Sequence, residues 1–284
     1  MTIAAGFVCN EGVVIAADSH ETLTEYTKGS RAKVILSLFP ATEGRKGYLT
    51  YACAGSGWSD YIETAREELS NALGGCTNYL QAASAIDEWL RTFHEKRIAP
   101  WAAFSPAQQP YVELLIGLSV GTASGLFHCT GTSSRRCGEH IAIGSGAILA
   151  NSLISTYTQH GDDLERLARL AVYIIHKVKK HAEGCGGFTQ VVALRKDGDF
   201  SLVDGIEGLE AEIDNIEKKS VEGFRSQIFA SPTMPRIRWL TDVSGTRSRK
   251  RRVVSSPSEA NSLLQEEAKT CDQRPPRSGP TESI

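Results

Sequence analysis

The sequence predicts an α+β fold: two antiparallel sheets stacked face to face, with helix pairs on the outside. Three observations carry this. The elements run strands, two helices, strands, two helices, strands, not in the βαβ alternation of a parallel doubly wound sheet. Short turns containing glycine join consecutive strands into hairpins, whose strands are antiparallel. The helical segments are amphipathic, so each has one face to bury. With 41% hydrophobic and 23% charged residues among 284, the chain has the apolar mass for a sizeable core.

Taken in order, the first hairpin spans TIAAGFVC and VVIAADS, joined by Asn10-Glu11-Gly12 with glycine at the end of the turn. Residues 33–38 (KVILSL) and 47–55 (GYLTYACAG) are two further strands around the polar segment PATEGRKG. A helix follows over 59–73, with Ser59 as N-cap and Ile62, Ala65, Leu69 and Leu73 at helical spacing; a second covers 78–98. Three prolines make 99–110 a loop. YVELLIGLSV and SGLFHCTG form the next strand pair, joined by GTA. After the strand end IAIGSG comes a helix over 145–159. Another, over 162–182, has acids in its first turn and bases in its last, as the helix dipole favours. A hairpin turning at Lys196-Asp197-Gly198 closes the series.

The character changes after Gly205. The predicted organisation is a core domain over 1–205, a charged helical extension over 206–240 and a disordered tail over 241–284, rich in Ser, Pro, Thr and charge. RSRKRR at 247–252 reads more readily as a solvated basic stretch of that tail than as a nuclear-localisation or nucleic-acid patch.

A formal net charge of −2 gives no overall field toward nucleic acid or membrane, and neither is expected as a partner. No apolar run approaches the ~18 residues that a membrane span needs. The opening residues lack the basic and apolar regions of a signal peptide. Seven dispersed cysteines without CxxC pairs read as reduced thiols of a cytoplasmic protein. No paired Cys/His spacing suggests zinc, so no metal and no cofactor is expected. No GxSxG elbow anchors a Ser-His-Asp hydrolase, and the turns at Gly55 and Gly144 lack the third glycine of a dinucleotide site.

The stretch TIAAGFVCNEGVVIAAD resembles the start of mature proteasome β-type subunits and their bacterial peptidase relatives. Lys33-Val34, ACAGSGWSD, IAIGSGA and GCGG fall in that family's order, and the resemblance spans roughly 2–205. It implies a four-layer αββα sandwich of the N-terminal nucleophile (Ntn) hydrolase type, peptide-bond hydrolysis by a terminal threonine, and assembly into homo-oligomeric rings. Peptides or unfolded proteins would be the substrates, with an unfoldase as a possible partner.

The chemistry suits the residues. A hydroxyl is a poor nucleophile at neutral pH and needs a base beside it. A terminal threonine carries one, its own α-amine, with an ordinary pKa of about 7.7–8.0. Removal of Met1 would expose Thr2 in that role. By resemblance, Lys33 is the catalytic lysine, whose charge lowers the pKa of the Thr2 amine, and Asp18 holds that lysine. The spacing from Asp18 to Lys33 is one residue shorter than the common family pattern, a difference the intervening loop absorbs. Read alone, Lys33 is equally a snorkelling surface lysine and Asp18 a polar strand end. Replacing Lys33 by Ala is expected to abolish turnover and leave folding intact.

Gly55 matches the donor of an oxyanion-binding N–H. Gly57 falls at the primary-pocket position, and Thr22 at a backbone position that aligns substrate by strand addition. Ser145 is either a proton relay near the amine or a helix N-cap. The departure lies in HAEGCGG: Ala182 stands where many family members have Asp, and Cys185 where they have Ser. Cys185 is either an auxiliary group or a core thiol. Two functions follow: a threonine-type peptidase using Thr2, or a non-catalytic assembly or peptide-binding subunit of the same fold.

Overall fold

The computed structural model describes residues 2–22, 28–40, 47–104, 109–219 and 238–239. Met1, the predicted tail over 241–284 and its RSRKRR stretch lie outside the described residues. The fold is α+β, and all its strand pairings are antiparallel.

The opening hairpin forms where the turn at Asn10-Glu11-Gly12 predicts it. Strand β1 (Ala4–Val8) pairs with β2 (Gly12–Asp18) in the register Ala4↔Ala17. Two small strands, β3 (His20–Thr22) and β4 (Lys28–Ser30), make a separate hairpin beside them. The second sheet takes β5 (Val34–Phe39), β6 (Leu49–Gly57), β7 (Val112–Val120), β8 (Ala123–Thr130) and β9 (Ser133–Cys137) in sequence order. The first sheet is completed by β10 (His140–Ile143) on the outer side of β1, then β11 (Thr189–Arg195), β12 (Phe200–Asp204) and β13 (Arg238–Trp239) beyond β2.

Strand β2 is buried along its whole length, and its period-2 alternation shows what covers each face. Val14 and Ala16 join a core cluster with the helices α4 (Ala147–Tyr157) and α5 (Leu164–His181). Val13, Ile15 and Ala17 join a second cluster with Ala52, Ala54 and Leu115 of the other sheet. On β6, Leu49, Tyr51 and Cys53 face a third cluster with α1 (Ser59–Gly74) and α2 (Tyr79–Phe93). Strand β2 thus faces helices on one side and residues of the second sheet on the other.

Several local expectations are corrected. Helix α1 is preceded by Trp58 in the cap position, with no side-chain cap bond, so Ser59 is not its N-cap. Helix α2 stops at Phe93 and continues as a π-turn over His94–Ile98. The proline-rich segment holds a four-residue helix, α3 (Trp101–Phe104). Helix α5 has the expected charge order, with Glu165 in its first turn and Lys179, Lys180 and His181 in its last. Beyond Gly205, α6 (Ile206–Lys219) buries Leu209, Ile213 and Ile216 in the α5 cluster. Residues 220–237 lie outside the described residues. Among the described residues no helix is long and apolar enough to cross a membrane.

Candidate active site

The β1–β2 hairpin returns Asp18 to the beginning of the chain, as its register dictates. Asp18 N–H donates to the Ile3 carbonyl at 3.1 Å, and Asp18 Oδ1 accepts from Ile3 N–H at 3.2 Å. The carboxylate is fully buried, so it requires partners. Lys33 Nζ donates to Oδ1 at 2.7 Å, and Gly186 N–H donates to Oδ2 at 2.9 Å. Lys33, immediately before β5, extends to the opening hairpin, where its Nζ also donates to Thr2 Oγ1 at 3.0 Å. Burial pushes the Lys33 ammonium below the usual lysine range, while the Asp18 charge and hydrogen bond oppose that shift. The result is a buried chain running from carboxylate to ammonium to hydroxyl.

Ser145 sits against the same threonine. Its Oγ lies 3.3 Å from Thr2 N, from which it accepts, and 3.3 Å from the Thr2 carbonyl oxygen. Gly146 occupies the N-cap position of α4 without a side-chain cap bond, so the Ser145 hydroxyl faces Thr2 instead of capping the helix. Cys185 Sγ is 3.8 Å from Ser145 Oγ. Burial pushes the Cys185 thiol up, with the Asp18 charge adding to it, which favours the protonated, neutral thiol. Ala182 is the C-cap residue of α5 and supplies no carboxylate. In the GCGG segment the polar support of Asp18 comes from a backbone donor, Gly186 N–H.

A cavity of about 310 Å3 opens beside Thr2. Gly55 and Gly57 line it from the end of β6. A side chain at Gly55 would meet Ile62 and Leu114 at under 3 Å. At Gly57 φ is +125°, and a Cβ would lie 2.0 Å from the Tyr111 carbonyl oxygen. A side chain at Gly55 would require Ile62 and Leu114 to shift, whereas Gly57 meets rigid backbone and only glycine takes up its backbone angle without strain. Thr22 ends β3 opposite Lys28, next to Glu21, which lines the cavity. Trp58 forms one wall, packed edge-on against Tyr61 and Trp101 at ring-centroid distances of 6.1 and 5.9 Å.

Two site residues escaped the sequence reading. Gln190 on β11 is buried, and its Oε1 accepts from Lys33 N–H at 2.7 Å and from Val34 N–H at 3.3 Å, fixing the backbone that carries the lysine. Arg66 on α1 lines the cavity, and its guanidinium donates to the Lys33 carbonyl. The available signal was the same for both: a polar residue inside a buried apolar pattern, TQVVAL in one case and the stripe Ile62, Ala65, Leu69, Leu73 in the other.

Comparison with solved structures follows from this arrangement. Anbu (ancestral beta-subunit) from Yersinia bercovieri matches with a TM-score of 0.60 at 14% identity, over 82% of this chain and 99% of that one. The helical assembly of the Anbu complex from Pseudomonas aeruginosa matches at 0.63 and 11%, over 78% and 95%. Anbu from Hyphomicrobium sp. strain MC1 matches at 0.59 and 12%, over 76% and 95%. The chain has a proteasome-like fold. No family model matches it, and no curated protein does. The expected membership of the proteasome β-type subunits and their bacterial peptidase relatives is thereby corrected. At 11–14% identity the likeness is one of fold, and the motifs quoted for the resemblance do not amount to family membership.

Proposed function

We propose that this chain is a threonine-type amidohydrolase on a proteasome-like fold, cleaving peptide bonds with Thr2 after removal of Met1. In this reading the sheets and helices form the four layers of an αββα sandwich, with 1–205 as the hydrolase unit. The single observation that carries the proposal is the buried contact of Lys33 Nζ with Thr2 Oγ1 at 3.0 Å, backed by Asp18 at 2.7 Å.

The mechanism follows from hydrogen-bond direction. Thr2 Oγ1 accepts from a cation, which favours the alkoxide that attacks the carbonyl. Its own proton passes to the freed Thr2 amine, directly or through one water, and later to the leaving amine. Lys33, close by, lowers the pKa of that amine by like-charge repulsion and keeps it a base near neutral pH. Ser145, at 3.3 Å from Thr2 N, orients the amine, and the neutral Cys185 thiol beside it is auxiliary. Gly55 N–H serves the oxyanion of the tetrahedral intermediate. Gly57 leaves the primary pocket open, and the backbone at Thr22 aligns an extended peptide by strand addition. Copies of the chain associate with one another; the Anbu complex from Pseudomonas aeruginosa forms a helical assembly.

Intact-mass measurement with a peptide epoxyketone or β-lactone tests this directly. The expected result is a chain lacking Met1 that gains the mass of the probe, with no adduct in Thr2→Ala. Retention of Met1, or a processed chain that takes no probe, would sink the proposal in favour of a non-catalytic assembly or peptide-binding subunit.

A further inference from the structure

Lys33 holds its ammonium between Asp18 and Thr2, yet it stands just before the first paired residue of β5, where the register with β6 begins at Val34↔Ala54. Strand β5 is also the edge of its sheet. Sheet pairing therefore does not by itself fix the backbone that carries the lysine. A lysine reaches its target through a flexible four-carbon stem, so a displaced backbone displaces Nζ with it.

Two buried side chains from other elements grip that backbone. Gln190 lies on the face of β11 that meets the second sheet; Val192 and Leu194, on the same face, are apolar and join the cluster between the sheets. Gln190 is 1% exposed, and its Oε1 accepts from Lys33 N–H at 2.7 Å and from Val34 N–H at 3.3 Å. Its Nε2 is buried without a hydrogen-bond partner. Turning the amide over would set Nε2 against two N–H donors, so the backbone of residues 33 and 34 dictates its orientation. An unmet buried donor is costly, and the two accepted bonds are what offset it. From α1, Arg66 donates to the Lys33 carbonyl. The acceptor and the carboxylate also share one strand pair: Gln190 pairs with Ala17 across β11 and β2, and Thr189 pairs with Asp18. The same two strands thus carry Asp18 and the group that locates Lys33.

We propose that Gln190, assisted by Arg66, is a positioning residue for the reaction at Thr2: it sets the backbone from which Lys33 reaches both Asp18 and the Thr2 hydroxyl. The inference rests on the threonine-hydrolase reading and deepens it. Gln190 is not among the residues that line the cavity, so it acts on the nucleophile and not on the substrate.

The test is labelling of the full-length chain by a peptide epoxyketone, resolved into the maximal rate and the half-saturating concentration and followed across neutral pH. Gln190→Leu nearly keeps the shape and removes the acceptor. Its maximal rate should fall by about tenfold to a hundredfold, the effect of misplacing a reacting group by about an ångström, with the half-saturating concentration unchanged. Once Lys33 is less closely held, its repulsion of the Thr2 amine weakens. The amine pKa then rises, and the acid limb of the rate profile moves to higher pH. Gln190→Glu, which keeps an acceptor oxygen, should recover part of the rate. A merely structural Gln190 would lower stability to urea and leave the maximal rate and the pH profile of the folded variant as in the wild type, and that result overturns the inference. If Gln190→Leu does not fold, amide hydrogen exchange of the wild-type chain replaces it. Lys33 and Val34 N–H should exchange as slowly as the amides inside β6, and fast exchange of both overturns the inference. A wild-type chain that takes no epoxyketone overturns the hydrolase reading, whereas a wild type that labels and a Gln190→Leu chain that labels equally fast overturn the positioning role alone.

Discussion

Thr2 ends a cluster of buried charges and Thr189 a cluster of half-buried ones, with opposite hydrogen-bond roles. They are close relatives in the fold, since Thr189 pairs with Asp18 across β11 and β2. Thr189 Oγ1 donates to Glu210 Oε1 at 2.6 Å, and Lys179 Nζ donates to the same oxygen at 2.7 Å. His176 extends that cluster to Asp214 at 2.7 Å, joining α5 to α6. Its threonine proton is thus committed to a carboxylate. At Thr2 the order is reversed: the hydroxyl accepts from an ammonium, and its proton remains available to a base. Both clusters hold ion pairs; the order of groups differs, and in the reading proposed above that order makes the one at Thr2 reactive, while the other joins two helices.

The largest way to break this comparison is Lys33→Ala. The sequence alone predicts lost turnover with folding intact, but Asp18 is fully buried and Lys33 is its only cationic partner among the described residues. Removing the lysine leaves that carboxylate with two backbone donors and no counter-charge, which costs about 3–5 kcal/mol. Urea denaturation should show the loss, and adding Asp18→Asn should restore much of it. A single variant as stable as the wild type would mean that the pair is not the electrostatic unit described.

The second cluster is sharpened by pH. Burial pushes the Glu210 carboxyl up, but hydrogen bonds from His176, Lys179 and Thr189 and the Lys179 charge overcome this and hold it down at about 2. A depressed folded value means stability that is present above the unfolded value of about 4.3 and lost as pH falls toward 2. The contribution is on the order of 3 kcal/mol. Unfolding free energy measured between pH 5 and 2 should fall less steeply in Glu210→Gln than in the wild type, and the variant should already be less stable at neutral pH. Parallel slopes would remove Glu210 from the clamp.

These effects also mark what was legible in the sequence. The opening hairpin was, because two apolar runs flank a short turn that ends at Gly12, so the return of Asp18 follows from strand geometry. The β3–β4 hairpin was not, since strands of three residues carry no periodicity. Thr2, Lys33 and Ser145 were singled out by resemblance; their convergence depends on contacts 31 and 143 residues apart in sequence, which local pattern does not encode. Arg66 was passed over because helical spacing was read from the apolar residues around it. A polar residue on the buried face of a helix or strand, as with Arg66 and Gln190, is the sequence signal that marks such a position.

The smallest prediction asks whether the two clusters act independently. Helix α5 carries Lys179 and His176 of the clamp, and the segment after it supplies Gly186 N–H to Asp18. At its far end Asp163 caps the helix, accepting from Arg166 N–H at 2.7 Å. Asp163→Ala should cost about 1 kcal/mol of global stability, the usual value of such a cap. The loss is local to the first turn, several helical turns from Gly186. If the Thr2 arrangement is fixed by its own ion pair and not by the general stability of α5, the rate of epoxyketone labelling at Thr2 should match that of the wild type at temperatures where both are folded. A slowed labelling rate under those conditions would show that the hydroxyl is held in place through α5, and that the two clusters are one.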